Sequence, residues 1–129
     1  MIFAALKGQS RKVPIGLVSD GIARLLAIFV GIAYYEKGAV LIDQIEDGIY
    51  YERFPSIWKS LHKFADKYQT QIFVSTHSKE CIDSLAGAVK ENEDSFRLLR
   101  ASRADRGCTI ESIPGSFLSA ALEQDFEVR

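Results

Sequence analysis

Apolar residues at Ile22, Leu25, Leu26, Phe29, Val30 and Ala33 recur at helical spacing with a wide apolar face, and Ser19 stands where an N-cap belongs. Ala39 to Ile42 is different: four apolar residues run without alternation, opened by Gly38 and followed by Asp43, Gln44 and, further on, Gly48. That pattern predicts a strand covered on both faces, as in a parallel sheet. The strongest helical signal follows, with Phe54, Ile57, Trp58, Leu61, Phe64, Ala65 and Tyr68 at intervals of three and four. Pro55 falls in its first turn, and Lys59, His62, Lys63, Asp66 and Lys67 take the wet side, which makes His62 a solvated surface residue. Gln71 to Ser75 reads as a second short strand, Thr76-His77-Ser78 as its loop, and Lys79 to about Ala88 as a helix. The order strand, helix, strand, helix is that of a right-handed parallel unit.

The flanks are less regular. Residues 1–18 predict a short strand, a turn around Gly8 to Lys12, and an extended segment through Val13-Pro14-Ile15, because a residue before proline avoids the helical region. Lys90 to Asp94 is a charged loop. Phe96 to Arg100 and Cys108 to Ile113 flank the turn-rich Ser102 to Gly107 and predict a hairpin, and a short helix from Ser116 to about Gln124 follows. The fold class is α/β: a mainly parallel sheet flanked by helices, with a C-terminal β-hairpin and short helix, in a single domain over residues 1–129.

Composition alters this picture little. With 47% hydrophobic residues the chain can build a real core, and sixteen basic against seventeen acidic residues argue neither for nor against a polyanionic partner. Cys81 and Cys108 lack metal-ligand spacing and read as reduced thiols of a cytosolic protein. The most apolar stretch, Ile22 to Tyr35, contains Arg24 and is about fourteen residues, short of the roughly twenty that cross a bilayer. The N-terminus has no signal-peptide pattern, so a cytoplasmic location without a membrane partner is expected.

The chemistry concentrates at the strand ends. Asp43 sits at the expected C-terminal end of its strand, the edge of an open α/β sheet where ligands bind, and an acid there can hold Mg²⁺ beside a phosphate chain. Taken alone, Asp43 reads more simply as a cap or loop acid and His77 as a satisfied structural histidine, and Ser19 reads equally as an ordinary helix cap.

Three pieces nevertheless stand in a fixed order: Leu17-Val18-Ser19-Asp20-Gly21 before a helix, Val40-Leu41-Ile42-Asp43-Gln44 ending a strand, and Ser75-Thr76-His77-Ser78 ending the next. Over roughly residues 13–88 this set resembles the C-terminal half of an ATP-binding-cassette-type ATPase head, a partial P-loop NTPase fold, of the branch that includes SMC/Rad50-like heads and overcoming-lysogenization-defect-like nucleases. The resemblance implies roles. Ser19, Asp20 and Gly21 resemble the signature loop, which offers a hydroxyl, an amide and a helix N-terminus to the γ-phosphate held by an opposite subunit. Asp43 resembles the Walker B aspartate that positions Mg²⁺, and His77 the switch histidine that bonds the γ-phosphate. Ile45 to Tyr51, with Asp47 as a nucleotide-site residue, resembles the loop that contacts the second head, and Tyr50-Tyr51 stands where relatives often have His-Pro.

Two departures matter. Where relatives carry a glutamate that polarises the attacking water, this chain has Gln44, and an amide cannot accept a proton as a general base. Nor does the sequence contain a Gly-x-x-x-x-Gly-Lys-Ser/Thr phosphate loop. The resemblance therefore implies half of a Mg-ATP site, completed by a phosphate-loop half of the same or another chain and by a second head in a homodimer. A nuclease, DNA or a toxin would be the partner that such heads move. The competing expectation is a non-catalytic, degenerate ATPase lobe serving as a protein-interaction module.

Overall fold

The computed structural model describes residues 2–104 and 107–123, which fall into two compact units, one running through His77 and the other starting at Ser78. The first unit opens with two short antiparallel strands, β1 (Phe3–Ala4) and β2 (Val13–Pro14), followed by a 3-10 turn over Ile15–Leu17. Helix α1 spans Asp20–Tyr34, with Ser19 as its N-cap: the Ile22 N–H donates to Ser19 Oγ at 3.3 Å. At the other end of α1, the buried hydroxyl of Thr70 lies 3.1 Å from the carbonyl oxygens of both Ile32 and Tyr35, so its one proton is shared between acceptors in the last turn of the helix.

Strand β3 (Ala39–Ile42) is followed by a 3-10 turn over Tyr51–Arg53, helix α2 (Phe54–Tyr68) with Pro55 in its first turn, and strand β4 (Gln71–Val74). Gln69 takes a left-handed conformation and ends α2, its N–H returning to Ala65 and Asp66. β3 and β4 pair in parallel, Val40 opposite Ile72 and Ile42 opposite Val74. The two helices pack together, Phe29 meeting Phe64 edge-to-face at 4.8 Å. Ile32, Ile45 and Phe54 are fully buried, each contributing about 1.5–3 kcal/mol on transfer from water.

Two expectations need correction. Parallel pairing is limited: among the described residues the strands form three separate two-stranded sheets, one parallel and two antiparallel, and one of the latter is the expected hairpin. Nor is β3 covered on both faces. Val40 and Ile42 turn inward, but Leu41 is 79% exposed and its partner Phe73 44% exposed. A run of apolar residues shows that both faces avoid charge, and it does not show that both have a cover.

In the second unit the expected helix after Thr76-His77-Ser78 is broken into α3 (Lys79–Asp83) and α4 (Ala86–Glu91), with Ser78 capping the first through the Cys81 N–H at 3.1 Å. The expected hairpin is present as β5 (Arg97–Ala104) and β6 (Gly107–Pro114), antiparallel, and α5 (Gly115–Glu123) follows it. Asp105 and Arg106 of the expected turn, and Gln124 at the expected helix end, lie outside the described residues. Ile82, Val89, Ile113, Leu118 and Ala121 form this unit's core. Cys81 is buried and Cys108 exposed. No helix among the described residues is long and apolar enough to cross a membrane.

Candidate functional site

Because β3 and β4 run parallel, their C-terminal ends lie side by side and each delivers a polar loop, residues 43–48 from one and 75–77 from the other. Main-chain pairing carries into these loops: the Ser75 N–H donates to Ile42 at 2.9 Å and the Ile45 N–H to Ser75 at 3.2 Å. The Ser75 hydroxyl donates to Asp43 Oδ1 and accepts the Gln44 N–H at 2.9 Å. One hydroxyl thus orients the carboxylate and anchors the residue after it.

Gln44 has a φ of 46°, the left-handed region, which a residue other than glycine adopts at a cost of about 1–2 kcal/mol. Two neighbours hold it there. Ser75 takes its N–H, and Arg24 of α1 donates Nη2 to its carbonyl at 2.9 Å and to the carbonyl of Asp43. Arg24 Nε is buried and has no hydrogen-bond partner among the described residues, so all the bonding of this side chain that supports the loop comes from Nη2. A non-glycine residue held in this conformation by a hydroxyl and a guanidinium is a feature of functional loops.

Gly21 and Gly48 bring the start of α1 against the same loop. A β-carbon at Gly21 would collide with the Gly48 carbonyl oxygen, and Gly48 itself has a φ of 72°. Ser19 and Asp20 therefore stand beside the residues that follow β3. Asp20 is exposed in the first turn of α1, where its charge suits the helix dipole but opposes an anion approaching the same N-terminus.

Glu46 joins the two strand-end loops. Its Oε1 accepts the His77 N–H at 2.9 Å. Burial alone would raise its pKa. Bonds from the His77 and Glu46 main-chain N–H groups and the Thr76 side chain, with the nearby His77 imidazole, outweigh burial and hold the carboxyl below its ordinary value. Glu46 Oε2 is buried and without a hydrogen-bond partner among the described residues.

A groove of about 480 Å³ runs between α1 and β3, lined by Arg24, Ala27, Ile28, Val40, Leu41, Ile42, Asp43 and Asp47. Among the described residues no cluster of three or more His, Cys, Asp or Glu side chains could hold a metal by itself. Mg²⁺ does not need one: it binds through one or two carboxylates plus phosphate oxygens and water, and the exposed, Ser75-oriented carboxylate of Asp43 fits that requirement.

All seven residues singled out from the sequence thus belong to one neighbourhood: Ser19, Asp20 and Gly21 through Gly48, Asp43 and Gln44 through Ser75 and Arg24, Asp47 through the groove, and His77 through Glu46. Arg24, Ser75 and Glu46 were not singled out. The signal for Arg24 was present, since it is the one charge in the run from Ile22 to Tyr35. Ser75 and Glu46 act through a strand pairing that no local pattern reveals.

Paired parallel strands that end in an aspartate and a histidine loop, beside a capped helix, place these groups at the edge where open α/β sheets bind ligands. Residues 3–83 match the family described as "AAA domain, putative AbiEii toxin, Type IV TA system", and the chain belongs to that family. It is also 26% identical over 91 residues to an "ATP/GTP phosphatase" of Helicobacter pylori, an overlap covering 68% of this chain and 25% of that protein. The chain thus spans about a quarter of that relative's length. No solved structure gives a significant match.

Proposed function

We propose that the chain is the C-terminal lobe of an ATP-binding-cassette-type ATPase head in the cytoplasm, contributing the signature loop, Walker B aspartate and switch histidine to a Mg-ATP site. The carrying observation is the gathering of residues 19–21, 43–48 and 75–77 at the C-terminal ends of β3 and β4 by Arg24, Ser75, Glu46 and the Gly21–Gly48 approach. Membership of the AAA-domain family and similarity to an ATP/GTP phosphatase support the same reading.

When bound, Mg²⁺ would neutralise charge on the transferred phosphoryl group. Asp43 would hold it with the carboxylate orientation set by Ser75. His77 would donate to the γ-phosphate, and Ser19 and Gly21 would offer donors to the nucleotide of a second head. Gln44 would orient a water through its amide without removing a proton. A phosphate-loop half and a second head, in a homodimer, would complete the site, and nucleotide-driven closure would move a nuclease, DNA or a toxin. Calorimetry tests this: Mg-ATP should show no micromolar site on the chain alone and a site in the completed protein that Asp43→Asn weakens. A tight one-to-one site on the chain alone, or one indifferent to Asp43→Asn, would contradict the proposal.

The amide at Gln44 favours a second reading, in which the lobe has lost catalysis and serves as an interaction module. A completed protein that binds Mg-ATP but turns over no faster after Gln44→Glu would favour that reading.

A further inference from the structure

Of the contacts at the strand ends, the one between Glu46 and His77 is not needed to hold the sheet together. The parallel pairing is already secured by main-chain bonds from Ser75 to Ile42 and from Ile45 to Ser75. What Glu46 adds lies one step beyond: its side chain crosses from the β3 loop to the main chain of the residue that carries the imidazole, 31 positions away. The His77 N–H is thus held by an acid that belongs to the other strand-end loop. His77 is exposed, and Gly21 packs on Gly48, two residues beyond Glu46.

We infer that Glu46 is a positioning residue, a latch that sets the placement of His77 and ties it to the loop bearing Asp43 and Gln44. The latch itself stands on geometry; its consequence for nucleotide rests on the reading of His77 as a γ-phosphate contact given above. A short, otherwise exposed loop such as 75–77 samples other conformations unless something outside it holds it. Here the acceptor is the Glu46 carboxylate, reaching from the neighbouring loop. A displacement of loop 43–48, which touches the start of α1 through Gly48, would therefore shift His77 as well.

Two measurements decide the matter. The first is amide hydrogen exchange on the chain. Glu46→Ala should speed exchange at His77 by about tenfold or more while Ile45 and Ser75 stay protected, and Glu46→Gln, which keeps an acceptor oxygen of the same reach, should restore protection. Unchanged exchange at His77, or a rise shared equally by Ile45 and Ser75, would overturn the latch. The second compares Mg-ATP with Mg-ADP binding in the completed protein. His77→Ala and Glu46→Ala should each weaken ATP several-fold and leave ADP unchanged, and the double variant should lose no more than either alone. A purely structural role would weaken both nucleotides together. If His77→Ala discriminates and Glu46→Ala does not, positioning by Glu46 is overturned. If His77→Ala has no effect on either nucleotide, the γ-phosphate role of His77 fails, and the exchange result alone decides the latch.

Discussion

Arg24 and Gln44 meet through the main chain: the guanidinium on α1 donates at 2.9 Å to the carbonyl of a residue whose φ is 46°. The helix that begins with Ser19-Asp20-Gly21 thereby fixes the conformation of the position next to Asp43. Motifs far apart in sequence are joined here by an arginine that carries no motif of its own.

Arg24→Met keeps most of the side chain's apolar stem and removes both donated bonds. Hydrogen bonds from a charged donor contribute about 1.5–3 kcal/mol when buried, and this pair is partly open to solvent, so a loss of about 1–2 kcal/mol is expected. Urea unfolding would measure it. A variant as stable as the parent would show that Gln44 keeps its conformation without Arg24.

Gln44→Glu changes one atom's chemistry at nearly constant shape. In the completed protein, nucleotide affinity should stay about the same while turnover rises by about 100- to 10,000-fold, the usual contribution of a general base. Asp43→Asn should stay inactive with either residue at 44. Steady-state phosphate release checks both.

Glu46 makes stability depend on acid. Its folded pKa lies below the ordinary 4.5, so the stabilisation it provides is fully present above that value and fades as pH falls through the lower folded one. Urea midpoints between about pH 6 and about pH 3 should fall less steeply in Glu46→Gln than in the parent, by a small margin because the group is partly solvated. Identical slopes would remove Glu46 from the account of acid sensitivity.

The uncovered row on β3 and β4 makes self-association the expected behaviour of the chain alone, since Leu41 and Phe73 lie exposed side by side near open strand edges. Light scattering should show oligomers that Leu41→Lys reduces. A clean monomer at high concentration would count against this.

The elements with strong periodicity were legible in advance. α2 could be read from Phe54, Ile57, Trp58 and Leu61 alone, all of which are buried, and α1 from its run and its Ser19 cap. The hairpin followed from two apolar strands around a polar turn. What stayed hidden depends on tertiary placement. The split between α3 and α4 occurs at Ser84-Leu85, where no Gly or Pro announces a break. The exposure of Leu41 could not be read because an apolar run does not say what lies above it. At the site, the residues at strand ends were visible by type, whereas Ser75 and Glu46 became visible only when the register set Ile42 beside Val74.

The approach of Gly21 to Gly48 has a genetic consequence. The atom a side chain at Gly21 would strike is a main-chain carbonyl, present whatever residue occupies position 48. Overpacking of this kind costs about 1–3 kcal/mol, and no exchange of neighbouring side chains can remove the obstructing oxygen. In a suppressor screen, defects at Arg24 should be compensated by second changes among the residues around it. Defects at Gly21 should return almost solely as true revertants.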